Sequence, residues 1–429
     1  MLINYQQLQL FCNLAAKFTY IGEQMSNRTT RYSILLTLLT ALLAWSPSHC
    51  HSQRKEISQV RTYLKSGKDY DKAENLLTGL LRNPANSDNP VILQLLYQTV
   101  EKQYESANER LYLKQKQDTA AFFLLVNRLF EIGESLDSLD ARPDKKGKTK
   151  LTYRDEHSEQ LNALRPNLFA GGRYHVRKGN YATAYDYFER YMDCATQPLF
   201  SKYDYKKTDP RISEAAYLSV YCGHMMNDAV KTLRYRQKAL GDTAHAAYTL
   251  QYTAEAWKQI NDDSLYVSTL REGFSRYPEY PYFFPRLIDY YSARRDYPSA
   301  MSIADSALAA NDSSVFFLLA KSTLLFNTQD YERCIDYSDR LIQINDSLAD
   351  AYYNAGSAWL NIALEQYDRR EKKNIVRASY QKAREYMEHY RLMAPDNSTK
   401  WAPALYRIYF NLNMGRQFDE IDKILKKQK

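Results

Sequence analysis

The strongest constraint on the fold of this chain is a motif that returns after 34 residues. The dipeptide Asp-Tyr at 296–297 recurs at 330–331, and the tripeptide Asn-Asp-Ser at 311–313 recurs at 345–347. A fixed period of this length is typical of a supersecondary unit that buries its apolar face by stacking on its neighbours. The chain is therefore predicted to be a row of similar units instead of one closed globule.

Each unit contains a Tyr that is followed three residues later by a small side chain, as at Tyr297 and Ala300. The Tyr can fill the bend between two helices, and the small residue lets the helices approach closely. Ala304 and Ala307 continue this face at helical spacing, and the residues before the Tyr form a second amphipathic stripe. The pattern predicts two helices in every unit.

The composition favours helices throughout. Among 429 residues there are only 13 Gly and 13 Pro, which is poor in the turns that a β-rich fold needs, and 45% are hydrophobic. The 38 Tyr suit a thin solenoid, because a Tyr ring packs while its hydroxyl reaches water. The net charge of +8 is modest for this length and gives no argument for a nucleic-acid partner.

The chain is predicted to divide into four parts. Residues 1–52 form a signal region, 53–165 an N-terminal helical region similar to the repeats, 166–395 the main run of repeats, and 396–429 the C-terminal capping helices. A charged insertion at 365–377 interrupts the last full repeat, and either longer helices or a projecting loop would accommodate it.

Two further segments depart from the repeat. Residues 142–150 are rich in Lys and are interpreted as a solvated linker, with contact to an acidic surface as the alternative. A helix is predicted from about Asp155 to Leu164, after which the repeats resume at Leu168.

The N-terminal segment has the organisation of a secretory signal peptide. Arg28 and Arg31 precede an apolar run at 32–45, which is followed by small and polar residues. The run is shorter than the roughly 20 apolar residues that a transmembrane helix needs. Cleavage after Ser52 would make Gln53 the first residue of a mature chain without a transmembrane span.

Two alternatives concern the same segment. Met25 lies just before the basic pair, so residues 1–24 are interpreted as an over-extended start. The alternative of lipidation would place an acyl group on the Cys50 thiol. However, His49 directly before Cys50 is not the small residue that acylation motifs carry. Lipidation therefore stays the less favoured alternative.

The remaining cysteines are Cys194, Cys222 and Cys334. Their odd number and wide spacing do not indicate a disulfide framework, although one pair among them stays open. Cys334 takes the small-residue position of its unit, which predicts a buried structural thiol.

With its period, its Tyr and small-residue pattern and its exported N-terminus, the chain resembles exported tetratricopeptide-repeat proteins of the cell envelope of Bacteroidetes-type bacteria. The resemblance covers nearly all of residues 57–425. It implies an all-α, right-handed superhelical solenoid of antiparallel helix pairs. It also implies that the first helix of each pair lines a concave face, which holds a peptide or a partner protein.

The sequence contains no glycine-rich phosphate loop, HExxH helix, GxSxG elbow or paired CxxC. His157, His175, His224, His245 and His389 are scattered without the spacing of metal ligands. No enzymatic activity, cofactor or metal is predicted.

Repeat register, taken from the resemblance, predicts which side chains line the concave face. They are Phe169, Arg173, Arg177, Leu218, Tyr221, Tyr248, Gln251, Glu255, Lys258, Tyr282, Asp289, Ser292, Phe316, Thr323, Asn327, Tyr353, Ser357 and Asn361. Aromatic anchors mixed with amides and charges suit an extended peptide, which needs both pockets and hydrogen bonds. The alternative is that many of these residues only pack.

Four Asp-Ser pairs are similar to the acceptor motif for O-linked sugars in exported Bacteroidetes proteins. Their serines are Ser138, Ser264, Ser306 and Ser347. The alternative interpretation is that these pairs are ordinary helix N-caps.

The predicted function is a non-enzymatic scaffold or adaptor of the bacterial cell envelope, located in the periplasm, at the outer membrane or outside the cell. The alternative is a glycan-binding outer-membrane component of the SusD type, since such proteins also carry tetratricopeptide helices. They are longer and have a large region outside the repeats, whereas repeats fill this chain.

Overall fold

The structure, a computed structural model, describes residues 48–143 and 146–427, with side chains from Gln53 onward. Helices account for all of the regular secondary structure in these ranges. The predicted signal segment before residue 48, the Cys50 side chain and the last two residues lie outside the described part. Signal cleavage, lipidation and the choice of start residue therefore stay predictions.

The described chain forms two compact units. The N-terminal unit runs to Lys178 and also contains Asp186–Asp209, while the C-terminal unit contains Gly179–Tyr185 and the chain from Pro210 onward. The division falls within one helix, which contributes residues to both units.

The helices of the N-terminal unit are α1 (Ser48–Ser66), α2 (Tyr70–Leu81), α3 (Pro90–Tyr112), α4 (Thr119–Asp140), α5 (Arg154–Arg177), the shared α6 (Tyr181–Asp193) and α7 (Tyr205–Thr208). Two short 3-10 helices lie at Pro84–Asn86 and Pro198–Tyr203.

The helices of the C-terminal unit are α8 (Ile212–Met225), α9 (Ala229–Arg234), α10 (Arg236–Ala239), α11 (Ala246–Gln259), α12 (Asp263–Arg276), α13 (Phe283–Ala293), α14 (Tyr297–Ala310), α15 (Val315–Asn327), α16 (Tyr331–Ile344), α17 (Ala349–Asp368), α18 (Lys373–Met393), α19 (Ser398–Asn411) and α20 (Gly415–Lys427).

Within each unit the helices pack in chain order. In the N-terminal unit α3 packs on α4, and in the C-terminal unit α11 packs on α12, α15 on α16 and α17 on α18, with each pair also contacting the next. This nearest-neighbour stacking of helix-turn-helix units is the tetratricopeptide arrangement. The predicted all-α repeat fold is confirmed.

The small-residue positions lie where the paired helices approach most closely. Ala300, Ala304 and Ala307 on α14 are fully buried, and Cys334 on α16 is buried at the equivalent place. Phe284 and the other rings of the neighbouring first helix fill the space that these short side chains leave. The Tyr and small-residue pattern therefore marks the seam between the helices.

A left-handed turn recurs with the sequence period. In four successive units, the turn before the second helix contains a residue with positive φ. These residues are Asn227, Asn261, Arg295 and Gln329, and each lies 34 positions after the one before it. Each is followed by an Asp whose carboxylate accepts a hydrogen bond from the backbone three residues on: Asp228, Asp262, Asp296 and Asp330. The amide of each Asp also donates to the carbonyl five residues earlier. This geometry ends one helix and starts the next.

Helix α5 is longer than the predicted one. It runs from Arg154 to Arg177 without a break, with Pro166 inside it, so the predicted boundary at 165/166 falls within a helix. Proline lacks the amide that would donate to the carbonyl of Asn162. The neighbouring Arg165 connects this helix to the segment that ends at Asp209, because its guanidinium forms an ion pair of 2.6 Å with the Asp209 carboxylate.

The Arg165 side chain also explains why the segment up to Asp209 belongs to the N-terminal unit. Its guanidinium lies 3.8 Å from the ring centre of Tyr191 and 3.9 Å from that of Tyr205, and the residue is 5% exposed. Tyr191 donates its hydroxyl to Asp209 at 2.7 Å. A buried charge of this kind is tolerated because it is paired and hydrogen-bonded.

The charged insertion at 365–377 is accommodated by longer helices. α17 has 20 residues and α18 has 21, and only a four-residue connection at 369–372 joins them. Of the two predicted outcomes, the projecting loop is wrong.

Candidate functional site

The candidate site lies on the C-terminal unit, where the first helices α8 and α11 carry a group of contacting aromatic rings. We call this group the tyrosine band; it consists of Tyr181, Tyr221, His224, Tyr248, Tyr252 and Tyr280. On α11, Tyr248 and Tyr252 are four residues apart and share one face of the helix. On α8, Tyr221 and His224 are three residues apart for the same reason.

The rings of the tyrosine band touch edge to face or stack. Tyr181 meets Tyr221 edge-on with centroids 5.9 Å apart, and Tyr221 lies 6.0 Å from Tyr252. His224 stacks on Tyr252 at 4.3 Å, and Tyr280 meets Tyr248 edge-on at 5.5 Å. Contacts of this kind fix the rings in place, so the band is a preformed surface.

A chain of polar groups lies beside these rings. The Tyr280 hydroxyl donates to Gln251 Oε1 at 2.6 Å, and Gln251 Nε2 donates to Glu255 Oε1 at 3.2 Å. Glu255 Oε2 is 3.3 Å from His224 Nδ1. The arrangement leaves amide and carboxylate lone pairs close to exposed aromatic surface, which is the combination that recognises a peptide backbone.

The hydroxyls of Tyr252 and Tyr280 keep their protons. Burial raises the pKa of Tyr280 to about 12, and burial with the nearby Glu255 carboxylate raises the pKa of Tyr252. Tyr hydroxyls in this state act as hydrogen-bond donors over the whole physiological pH range. These two hydroxyls are therefore suited to hydrogen bonding.

Among the residues predicted to line the concave face, two large aromatic side chains are exposed to solvent. Tyr248 is 44% exposed and Phe316, on α15, is 49% exposed. Phe316 packs its edge on Phe284 of α13, with centroids 5.3 Å apart. Rings that are held on one side and exposed on the other are typical anchors of a protein interface.

The structure brings four predicted site residues together. Tyr221, Tyr248, Gln251 and Glu255 all belong to the tyrosine band or to the polar groups beside it. Whether they bind a partner stays a prediction.

Three predicted site residues are buried, so the prediction that they face a ligand is wrong. Phe169, Tyr282 and Ser357 are 4%, 6% and 7% exposed. Phe169 packs on the ring of Phe188, and Tyr282 packs on Phe283. These residues contribute to packing inside the C-terminal or N-terminal unit instead of to an accessible surface.

The other predicted residues are accessible but do not join the band. Exposed side chains are Arg173, Arg177, Lys258, Asp289, Thr323 and Asn327, and half-buried ones are Leu218, Ser292, Tyr353 and Asn361. Arg173 and Arg177 belong to α5 of the N-terminal unit. The Tyr353 ring lies 5.0 Å from the Lys400 ammonium, and Asn361 donates to the Ser357 carbonyl.

Sequence reasoning missed four members of the band as site residues: Tyr181, His224, Tyr252 and Tyr280. Tyr252 follows Gln251 directly and could have been found from its spacing of four from Tyr248. Tyr280 lies in the turn before α13, where helical register gives no information. His224 was set aside because it has no metal-ligand spacing, whereas its role here is to stack.

The four predicted acceptor serines are all exposed. The alternative that their Asp-Ser pairs are N-caps is wrong: Ser138 and Ser306 lie inside α4 and α14, Asp262 is the residue that caps α12, and Leu348 precedes α17. Glycosylation of these serines stays a prediction.

The described residues contain no group of three His, Cys, Asp or Glu side chains that could hold a metal ion. Cys194, Cys222 and Cys334 are free and buried, so the disulfide that the sequence left open does not form among them. Burial raises the pKa of Cys194 and of Cys222 to about 12, which makes both thiols poor nucleophiles.

None of the helices in the described part of the chain combines the length and the apolar character needed to cross a bilayer.

The described chain is thus an all-α protein of tetratricopeptide-type helix pairs with a tyrosine-lined face. Neither the protein-family models nor the curated proteins contain a match to it.

Several solved structures have a similar helical arrangement. The C-terminal part of a TPR repeat-containing protein from Cytophaga hutchinsonii has a TM-score of 0.41 and 11% identity, and the match covers 59% of this chain and 93% of that chain. The yeast Sti1 TPR2AB domain, in complex with pHSP90, has a TM-score of 0.25 and 16% identity, covering 73% of this chain and 98% of that chain. Yeast Tom70 has a TM-score of 0.32 and 11% identity, covering 88% and 91%.

Proposed function

We propose that the protein is a non-enzymatic scaffold that binds a partner protein, through an extended segment, on the tyrosine band. The observation that carries this proposal is the exposure of Tyr248, whose ring contacts those of Tyr252 and Tyr280. A preformed aromatic surface loses little conformational entropy on binding. The cost of exposing such a ring is recovered when a partner covers it.

The polar groups beside the band define what the partner must offer. Gln251 and Glu255 present acceptors next to the Tyr248 ring, and Tyr280 holds Gln251 in place. A peptide backbone donates N–H groups at regular intervals, and its side chains can pack on the rings between them. A folded partner would dock by one such extended segment.

We further propose that the protein acts in the cell envelope of a bacterium, in the periplasm, at the outer membrane or secreted. The support is the charged, apolar and polar order of residues 28–52, which is typical of a secretory signal. Sequencing of the mature N-terminus in the native host tests this: a chain that begins at Gln53 supports export, and a chain that retains the apolar run contradicts it.

Site-specific crosslinking tests the scaffold function. A photoreactive amino acid placed at Tyr248 is expected to trap one protein in the native host, which mass spectrometry identifies. The control is the same amino acid at Tyr367, which is 65% exposed but lies at the end of α17, away from the band. Equal trapping of the same protein at both positions would contradict the proposal.

The trapped protein then allows a quantitative measurement. The Tyr248→Ala change is expected to weaken its binding by about tenfold or more, as for an aromatic interface anchor, and Tyr367→Ala is expected to leave it unchanged. If the chain binds a polysaccharide on a glycan array and Tyr248→Ala abolishes that binding, the glycan-binding alternative would replace the scaffold function.

A further inference from the structure

A separate cleft lies on the N-terminal unit, where successive first helices meet. Its volume is about 640 Å³, and side chains of α1, of α3 and of the residue before α5 line it. We call it the N-terminal cleft; its lining residues fall into a basic, an amide and an apolar set. Binding sites for ligands typically have volumes of about 300 to 1,000 Å³, so the cleft can hold several side chains of a bound segment.

The basic set consists of Arg61 and Lys65 on α1. They are four residues apart, so both point from the same face of the helix. Both side chains are exposed, and no carboxylate among the described residues pairs with either one. None of the described residues that line the cleft is acidic, so the cleft presents the two positive charges of Arg61 and Lys65.

The amide set consists of Gln94 and Gln98 on α3, facing the cleft with the same spacing of four. The Gln94 Oε1 atom is shielded from solvent and accepts no hydrogen bond. An acceptor of this kind costs free energy until a donor reaches it. Tyr153, which precedes α5, adds a ring and a hydroxyl to the lining.

The apolar set forms the wall between these polar groups. Leu64 and Leu95 are half-buried and buried, while Val91 is 48% exposed. Val91 lies in the first turn of α3, so it widens the apolar surface at the end of the cleft. A small inorganic anion would leave this surface exposed to water.

We propose that the N-terminal cleft binds an extended acidic segment of a protein, with carboxylate side chains on Arg61 and Lys65 and apolar side chains on the exposed Val91. The exposed Gln98 amide can form hydrogen bonds with the backbone of the segment. Alternation of side chains along an extended segment places carboxylates on one wall and apolar groups on the other. The site lies in the N-terminal unit and is independent of the tyrosine band.

The probe is a fluorescein-labelled peptide of alternating Glu and Leu, blocked at both ends so that it carries no terminal charge. Its matched partner has Gln in place of Glu. Fluorescence anisotropy with the mature chain is expected to show binding of the Glu peptide that is at least about tenfold tighter than binding of the Gln peptide. The binding is also expected to weaken as salt is added, because exposed charges are screened.

The variant Arg61→Glu with Lys65→Glu tests the assignment. It is expected to weaken binding of the Glu peptide by about tenfold or more. The control, Lys68→Glu with Arg82→Glu, makes the same change of net charge at exposed residues outside the cleft and is expected to bind normally. Circular dichroism confirms that both variants fold, and Tyr248→Ala is expected to leave this binding unchanged.

Two outcomes would overturn the proposal. Equal loss of binding in both double variants would mean that the peptide responds to overall charge and not to the cleft. The second outcome concerns competitors of the labelled peptide. If inorganic phosphate or a single-stranded RNA oligonucleotide displaces it as well as the unlabelled Glu peptide does at the same concentration, the cleft binds anions without using its apolar wall. Failure of these tests would leave the scaffold function on the tyrosine band unaffected.

Discussion

At the scale of single residues, His157 shows how burial decides the charge of a side chain. Its ring stacks between those of Tyr97, at 4.2 Å, and Tyr153, at 5.5 Å, and the residue is 2% exposed. Its Nε2 atom has no hydrogen-bond partner. Burial lowers the pKa of His157, although nearby carboxylates, Glu156 first among them, act in the opposite direction.

The lowered pKa of His157 predicts that the free energy of unfolding decreases as the pH is lowered. The unfolded chain takes up a proton near pH 6.5, which the folded chain resists, so the contribution is complete above that pH and is lost as the pH falls below it. Burial lowers the pKa of His175 as well, and the effect has the same sign. The midpoint of urea unfolding is expected to be lower at about pH 5.5 than at about pH 7.5.

The control is His157→Phe, which keeps a stacked ring and cannot take up a proton. Its unfolding midpoint is expected to depend less on pH over the same interval. A variant whose midpoint shifts as much as that of the unchanged chain would contradict the role of His157.

At the scale of helices and turns, the recurring left-handed turn allows a stabilising substitution. Gln329 has a φ of 64°, a region that costs an L-residue with a side chain about 1–2 kcal/mol and glycine almost nothing. Gln329→Gly is therefore expected to stabilise the chain by about 0.5–1 kcal/mol, after allowing for the added freedom of the unfolded chain. Denaturant unfolding measures the difference.

The matched control is Gln343→Gly. Gln343 is exposed and lies within α16, where helical glycine is expected to cost up to about 1 kcal/mol. If Gln329→Gly destabilises the chain as much as Gln343→Gly does, the turn does not carry the strain that its φ implies.

The same turn shows what the sequence period could and could not predict. The repeated Asp-Tyr pairs marked Asp296 and Asp330, both of which cap helices. Asp228 and Asp262 cap their helices in the same way but were missed, because Ala and Asp follow them instead of Tyr. A cap needs only the carboxylate and the turn, so the chemistry persists where the motif around it has changed.

The candidate site was predictable only in part for a related reason. Repeat register placed Tyr248, Gln251 and Glu255 on one face of α11, because the spacing fixes which residues share a face. It does not fix how neighbouring helices pack, and Tyr282 and Ser357 are buried. Tyr280 could not be placed from repeat register, because it lies in a turn whose direction depends on how the two flanking helices pack.

At the scale of the whole molecule, α19 and α20 complete the apolar core of the last repeats. Trp401 and Leu405 of α19 are buried in one cluster with Met387 and Tyr390 of α18, and Ile421 of α20 joins them. The Trp401 indole also donates to the carbonyls of Ala394 and Pro395 at 3.2 Å. These helices protect surface that a solenoid unit cannot cover by itself.

Removal of the chain after Asn397 is therefore expected to expose the α18 side of this core. The shortened chain should melt at a lower temperature and associate with itself, because large exposed apolar patches promote association. Light scattering after size-exclusion chromatography measures the second effect. Removal after Asn411, which deletes only α20, is the control and should have the smaller effect. A monomeric shortened chain with an unchanged melting temperature would contradict this role.

The recurrence of one turn at Arg295 and Gln329 also bears on how such a chain can change its length. If the 34 residues 296–329 were lost, Arg295 would be followed directly by Asp330, and the same backbone bend would meet the same carboxylate. Gain of a segment of that size would likewise join equivalent ends. Loss or gain of a whole 34-residue segment therefore preserves the turn at the junction. Chains of this kind can differ in their number of repeats while each keeps the same turn between helices.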